Sequence, residues 1–568
     1  MRAILQHEGQ WLCFEHPKKI LKTRHLEEVL PLLEEAENSN LFVAGFVSYE
    51  AAPAFDSAFQ TRPNHSFPLL YLGLFPPPIL LDHLEAVSSF ELGERIPDIS
   101  KATFTKKMEH IKKEIAAGAT YQVNYTHRLK APFFGDAFSF FSTLVHGQKT
   151  QHAAFIQTED FSICSASPEL FFHQKGKEII MRPMKGTAPR ALTFQEDEKQ
   201  RKRLQNSSKD RAENIMIVDM IRNDLGRVAI PGSVEVENPF HLEKYPTVWQ
   251  MTSTVKAQLK TPSLSSLFKA LFPCASITGA PKAKTMEIIR NLESSPRNIY
   301  TGAIGFSAPN KQESCFNVAI RTALIHHKIH QLEYGVGGGI VWDSLADSEW
   351  EETQSKALIL TQPHPEFQLI ETMLWEPKTG IFLLKEHLKR LSDSANYFDI
   401  PLDLNALRCQ IDRVTKGLKE YPHKVRLLLF QTGKFSLEST PFSLPSSPVR
   451  ISISDTPISE HSPFLFHKTT LRTCYETAKK MKPDVDDVIL WNAKNEVTES
   501  TIANVVIKKG NQFYTPPISA GLLPGTFRSH LLAKKKIQEK VIHLNELKTA
   551  DELFLINALR KWQPASLI

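Results

Sequence analysis

Apolar residues along this chain of 568 residues recur in two rhythms, and the rhythm changes several times. The runs "LFVAGFVSYE", "HAAFIQTEDFSICSASPELFFH" and "NIYTGAIGFSA" are apolar, β-rich and punctuated by Gly and Pro, which predicts strands. "FTKKMEHIKKEIAAG" and "RAENIMIVDMIRNDLG" carry helical apolar spacing instead, and each closes on a glycine suited to a C-cap. In "LILTQPHPEFQL" two prolines follow the helical "DSEWEETQSKALIL", the way a helix stops and a connector begins. Beyond it, strand-like "EFQLIETMLW" leads into amphipathic "IFLLKEHLKRLSDSANYF". Short strands then follow in "VRLLLFQTG", "PVRISIS", "DDVILWNAKNEVTES" and "IANVVIKKGNQFYTPP". A boundary is expected near residue 364, dividing the chain into 1–362 and 363–568. Strands near the start, middle and end of the first part imply sheets assembled from distant segments. Both parts read as α+β.

Composition narrows the classes. The length suggests roughly three or four domain-sized units. An apolar content of 42% and a charged content of 23% are those of an ordinary globular protein. Net charge is +6, but the densest basic run, "KQRKRLQNSSKDR", is followed by acids and has no aromatic stacking partners. It reads as a solvated helix or loop, and no nucleic-acid partner is expected. The six cysteines lie far apart with no C-x-x-C pair and no nearby His cluster, against a structural zinc site and against a secreted disulfide scaffold. The N-terminus lacks a signal-peptide stretch, and no segment approaches the ~20 apolar residues of a membrane span. No membrane partner is expected, and a cytoplasmic location is.

The candidate chemistry starts at "MRPMKGTAPR", where Lys185 sits between a proline-braced turn and a Gly-Thr pair at a strand end. Alone, such a lysine is a solvated turn residue. Glu213 lies near the start of a helix, and Glu349 and Glu352 in "DSEWEETQSKA" share a helix face. Singly these acids read as solvated. Together they suit Mg²⁺, which takes a few carboxylates and keeps several waters. The cluster Gly337, Gly338 and Gly339 fails the dinucleotide pattern, yet its backbone N–H groups could approach an anion closely. "SITGAPKAKTMEII", which contains Thr278, predicts a Pro-started helix whose N-terminus could do the same.

Six blocks, "SPELFF", "RPMKGT", "DRAENIMIVDMIRNDLG", "SITGAPK", "IYTGAIGF" and "GGGIVWDSLADSEWEET", occur in one order between about residues 40 and 360. This order resembles the chorismate-utilising enzymes: anthranilate synthase component I, isochorismate and salicylate synthases, and aminodeoxychorismate synthase component I. Isochorismate and salicylate synthases carry a water-activating lysine where this chain has Gln122. Anthranilate synthases have alanine before the Gly-Thr, where this chain has Lys185, as aminodeoxychorismate synthases do. The resemblance implies Lys185 as nucleophile and Glu169 as the acid for the departing hydroxyl. It further implies Glu213, Glu352 and Glu349 around Mg²⁺, and Tyr300, Arg321, Thr278 and Gly337–Gly339 as substrate anchors. Gln250 replaces a histidine of anthranilate synthases, so that histidine's role does not transfer. "WLCFEHP" does not resemble the "LLES" motif of a tryptophan pocket, so tryptophan regulation is not implied.

In the second part Lys468 would be a surface lysine on its own. Its company is Arg390 in "EHLKRLSDSA", Glu499 in "EVTESTIANV", and "GLLPGTFR". These blocks resemble the fold-type IV pyridoxal-phosphate enzymes, which include branched-chain and D-amino-acid aminotransferases and aminodeoxychorismate lyases. The resemblance implies that Lys468 carries pyridoxal 5'-phosphate and moves a proton, and that Glu499 faces the pyridine nitrogen. Arg390 and the N–H groups of Thr526 and Phe527 would hold the phosphate. Arg472, four residues after Lys468, would share its helix face.

The two resemblances together imply a fusion that makes p-aminobenzoate for folate: chorismate and ammonia to 4-amino-4-deoxychorismate, then loss of pyruvate. Ammonia would come from glutamine through a separate amidotransferase, and a homodimer through the second part is an expectation of the fold type. The alternatives are an anthranilate-synthase-like unit fused to an aminotransferase, or a non-catalytic partner retaining both folds.

Overall fold

The computed structural model describes every residue except 65, 85–87, 149, 361–364, 419 and 445–447. The chain divides into two compact units, one of Met1–Pro189 and Arg201–His364, the other of Arg190–Gln200 and Pro365–Ile568. The expected boundary lies outside the described residues. No helix among the described residues is long and apolar enough to cross a membrane.

Two large sheets build the first unit. In the eleven-stranded sheet the long strand Gln122–Gly135, next to one end, runs antiparallel to Gln331–Ile340 along the full length of the latter. The ten-stranded sheet carries Met184–Pro189 at one end, followed by Val248–Gln258, Glu178–Arg182 and Leu170–Lys175. Alternating apolar residues close the space between them: Ala3, Leu5 and Ile163 of one sheet meet Phe46, Ile304 and Phe306 of the other. Helices cover both outer faces. Leu26–Glu37, Ser208–Gly226 and Leu264–Leu271 lie on the ten-stranded sheet, and Ala137–Gln148 lies on the other. A sheet with two apolar faces must be covered on both sides, so the unit is layered helix, sheet, sheet, helix.

The expected α+β class and the distant pairing of strands hold. The run "HAAFIQTEDFSICSASPELFFH" is divided between the two sheets: Phe161–Ser167 joins the first and Leu170–Lys175 the second. Only Pro168 and Glu169 connect them. The glycine expectation holds once. Gly118, at φ +73, follows the Ala117 cap of helix Lys101–Ala116, whereas Gly226 is the last helical residue and Arg227 is the cap.

The second unit has a four-stranded sheet under helices Leu384–Phe398 and Leu404–Lys416. Its eight-stranded sheet closes on itself, because Val497–Ser500 pairs with both Asp487–Trp491 and Asn504–Lys509. The closing pair is Glu499 with Asn504. Residues 190–200 are a separate piece of this unit. The Arg190 guanidinium donates through Nε to both Asp197 oxygens (2.8 and 2.7 Å) and through Nη2 to the Tyr397 carbonyl at 2.9 Å. The Tyr397 hydroxyl returns a bond to the Ala191 carbonyl at 2.8 Å.

Candidate active sites

A cavity of about 330 Å³ in the first unit is lined by Lys185, Glu169, Glu213, Glu349, Glu352 and Gly337–Gly339 together. That volume suits a small ring substrate. The strand Met184–Pro189 brings Lys185 in, and its backbone is held on both sides. Asn214 donates to the Lys185 carbonyl at 3.3 Å, and Ser253 fixes that asparagine. Gln250 braces the next two residues, donating to the Gly186 carbonyl and accepting from the Thr187 hydroxyl, both at 3.0 Å. Sequence alone gave Gln250 no role; the geometry makes it a strut for the lysine strand.

Burial lowers the Lys185 amine below its ordinary range, and Lys356 adds to this, while Glu213, Glu169 and Glu352 oppose it. Burial pushes Glu169 up to about 7 against the hydrogen bond it accepts from Ser276 at 2.6 Å. An amine with a lowered pKa and an acid with a raised one therefore share one cavity. Gly339 lets Lys185 and Gln122 crowd against the backbone: a Cβ there would stand 2.0 Å from Gln122 Nε2 and 2.5 Å from Lys185 Nζ. Gln122 is itself buried, and its Oε1 has no hydrogen-bond partner.

The three carboxylates face each other electrostatically. Burial raises Glu213 and Glu349, and Glu352 raises both further. Burial would raise Glu352 too, but Lys356, 2.7 Å away, holds it low. Lys356 also donates to the Gly337 carbonyl at 2.7 Å. Sequence reasoning missed this lysine, although it stands four residues after Glu352 on the same helix face. The three acids line one cavity, and carboxylates are the donor type Mg²⁺ takes, with retained waters filling the rest of its shell.

Arg321 and Tyr300 line the same cavity. Arg321 donates to Gln148 Oε1 at 3.2 Å, and Tyr300 packs on Gly335, whose absent Cβ would lie 2.2 Å from the ring. Thr278 is a correction. It is fully buried, its hydroxyl is spent on the Cys274 and Ala275 carbonyls, and it does not line the cavity. Ser276, two residues earlier, takes the place next to the chemistry. Pro281 stands at the N-cap of helix Lys282–Leu292, just ahead of the helix it was expected to start.

A cavity of about 340 Å³ in the second unit gathers Lys468, Arg390, Glu499, Arg472 and Thr526. Burial lowers Lys468 to about 8, helped by Arg390 and Arg472. Glu499 accepts from the Tyr475 hydroxyl at 2.8 Å, the Leu523 N–H at 3.1 Å and Asn504 Nδ2 at 3.3 Å, yet burial still pushes it up to about 7. Glu371, which sequence reasoning also missed, is buried and clamps Arg390 through Nε (2.9 Å) and Nη2 (2.7 Å). It accepts from His387 Nδ1 at 2.6 Å as well. Burial would raise Glu371, but Arg390 and His387 hold it near 2. Thr526 and Phe527 open helix Thr526–Ala533, with Gly525 as its cap.

Arg472 and Lys468 do not share a helix face, because the helix begins at Thr473 and Lys468 precedes it in irregular backbone. Arg472 instead lies over the Tyr475 ring, 4.7 Å from its centre, and donates to the Thr501 carbonyl. The donor set fits pyridoxal phosphate on three observations. Lys468 is a buried amine, Gly525 leaves a space that a Cβ would fill 2.0 Å from Asn504, and the buried His387 Nε2 has no partner.

Comparison with known proteins gives two matches along the chain. The family described as chorismate binding enzyme matches residues 4–362, and amino-transferase class IV matches residues 368–568. Aminodeoxychorismate synthase component 1 of Escherichia coli (strain K12) is 41% identical over 261 residues, 46% of this chain and 57% of that protein. The Bacillus subtilis (strain 168) protein of the same name is 37% identical over 286 residues, 49% of this chain and 60% of its own length. The chain thus spans somewhat over half the length of these relatives. Anthranilate synthase component I from Streptococcus pneumoniae TIGR4 superposes with a TM-score of 0.53 at 23% identity, covering 64% of this chain and 92% of that one. The menaquinone-specific isochorismate synthase of Escherichia coli gives 0.50 at 17% identity, covering 64% and 88%. These two likenesses establish the fold of the first unit.

Proposed function

The chain belongs to the chorismate binding enzyme family, and from that premise we propose that it makes p-aminobenzoate in two steps, one per cavity. Residues 1–362 convert chorismate and ammonia to 4-amino-4-deoxychorismate; residues 363–568 then remove pyruvate. The reading rests above all on Lys185 and Glu169 in one cavity, the amine lowered and the acid raised. The neutral Lys185 amine adds to ring carbon C2 while the C4 hydroxyl leaves with the Glu169 proton. Ammonia then bonds to C4, the double bond returns, and Lys185 leaves C2. The ionised Glu169 accepts a proton shed by the incoming ammonia. Gln122 offers its unpartnered Oε1 to an N–H of the nucleophile. Arg321 and Tyr300 anchor a substrate carboxylate, while Glu213, Glu349 and Glu352 would hold Mg²⁺, which would supply positive charge for the other.

In the second cavity, bound pyridoxal phosphate supplies an electron sink. Lys468 carries the cofactor and moves the C4 proton whose loss aromatises the ring as pyruvate departs. Glu499, fixed by Tyr475 and Asn504, faces the pyridine nitrogen. Arg390, oriented by Glu371, and the N–H groups of Thr526 and Phe527 hold the phosphate. A separate amidotransferase supplies ammonia from glutamine. The test is incubation of the purified chain with chorismate, an ammonium salt, Mg²⁺ and pyridoxal phosphate. p-Aminobenzoate with an equivalent of pyruvate is expected; anthranilate, or no turnover of chorismate, overturns the reading.

A further inference from the structure

Outside both cavities, His7, His173 and Glu313 converge as metal-ligating side chains. They come from both sheets of the first unit. His7 ends the strand Arg2–His7 of the eleven-stranded sheet, whereas His173 and Glu313 stand diagonally on the paired strands Leu170–Lys175 and Glu313–Val318 of the other. His173 Nε2 lies 2.6 Å, and His7 Nε2 3.1 Å, from one and the same oxygen, Glu313 Oε1. All three ligand atoms fall within 4.8 Å of one another.

Two imidazole nitrogens and one carboxylate oxygen are a zinc-type donor set with a fourth position left open. Bonds of about 2.0–2.2 Å in a tetrahedron place neighbouring ligand atoms roughly 3.3 Å apart, so small side-chain rotations admit the ion here. The rings are already oriented. His7 meets His173 edge to face at 5.3 Å and Phe306 at 5.0 Å. Side-chain exposures of 13%, 20% and 22% for His7, His173 and Glu313 let an ion enter from solvent without unfolding. Glu8 adds negative charge beside His7, and Lys175 opposes it beside Glu313. The ordinary alternative is a hydrogen-bonded His–Glu–His group that takes up no metal. The sequence argued against a structural zinc site because no His cluster is visible along the chain; residues 7, 173 and 313 are distant in sequence and meet only through the sheets.

We propose that His7, His173 and Glu313 bind one divalent transition-metal ion of the Zn²⁺ or Co²⁺ class, linking a strand of each sheet. Imidazole selects such ions over Mg²⁺, which favours the all-carboxylate group of the first cavity. The test uses the full chain, stripped of metal and titrated with Co²⁺ under saturating Mg²⁺. One equivalent is expected to bind, with a visible ligand-field band and a raised melting temperature. His173→Gln and Glu313→Gln, each verified by circular dichroism, should lose both signals. Should His173→Gln fail to fold, Glu313→Gln, which keeps side-chain volume, still decides. A parent protein without the band, or a band unchanged in a folded variant, overturns the site and leaves the hydrogen-bonded group.

Discussion

Gly339→Ala tests how closely the first cavity is drawn around Lys185. The added methyl would lie 2.5 Å from Lys185 Nζ and 2.0 Å from Gln122 Nε2. Carbon contacts settle at about 3.5–4.0 Å, so Nζ must retreat by about 1 Å or more. Both obstructing atoms end flexible side chains, so the strain is relieved by moving them, with the backbone unchanged. The stability cost should therefore fall at the low end of overpacking, about 1 kcal/mol. Displacing a reacting group by about 1 Å costs on the order of 10²-fold in rate. The expected outcome is a near-parental melting curve with formation of 4-amino-4-deoxychorismate from chorismate and ammonium reduced roughly a hundredfold. Conversion of supplied intermediate to p-aminobenzoate should be unchanged. Gly226→Ala is the matched control, since a Cβ there meets nothing within 4 Å. Parental synthase rates in Gly339→Ala would refute the placement of Lys185 against this glycine.

The two activities should fail separately. Lys185→Ala should abolish the first step and spare the second, Lys468→Ala should make the intermediate accumulate, and loss of both steps in either folded variant would refute two sites. The pH profile of the first step should carry an alkaline limb from Glu169, raised to about 7. A raised carboxyl is protonated below that value and loses its proton above it, so the rate should fall as pH rises through about 7. Stability drawn from the protonated form should likewise fade between its ordinary range and about 7. Glu169→Gln should remove this limb and most of the rate; an unchanged profile in a folded variant would sink the assignment. Finally, the chain alone should use ammonium but not glutamine. None of its six cysteines has a glycine neighbour for a nucleophile elbow, and Cys164, Cys274 and Cys315 have thiols raised by burial. Glutamine-dependent synthesis by the pure chain would refute this.

Much of both sites was legible because residues near in sequence carry it: "MKGT" around Lys185, "SPEL" around Glu169, "GLLPGTFR" around the Thr526 helix start. What the sequence hid depends on direction or on distance. Thr278 sits inside a motif, but nothing in the motif says that its hydroxyl turns back to the Cys274 carbonyl while Ser276 turns inward. The offset from Lys468 to Arg472 promised a shared helix face, which needs a helix that starts five residues later, at Thr473. Glu371, Gln250 and Lys356 act through partners on other elements, so their roles appear only once Arg390, Gly186 and Gly337 are placed. The α+β class survived these errors because it follows from strand and helix rhythm alone.

The eleven residues from Arg190 to Gln200 that complete the second unit have a consequence for the order of synthesis. A ribosome delivers them well before their seat. Tyr397, which receives Arg190 and binds Ala191, emerges about two hundred residues later, on the order of ten to forty seconds at about 5–20 residues per second. The second unit therefore cannot reach its final packing by collapse of its own stretch of chain. It must capture a segment made earlier, which closes a loop of about two hundred residues. A gene fragment beginning at Pro365 would encode a unit lacking the segment whose half-buried Leu192 packs against the cluster of Leu465, Tyr475 and Leu490.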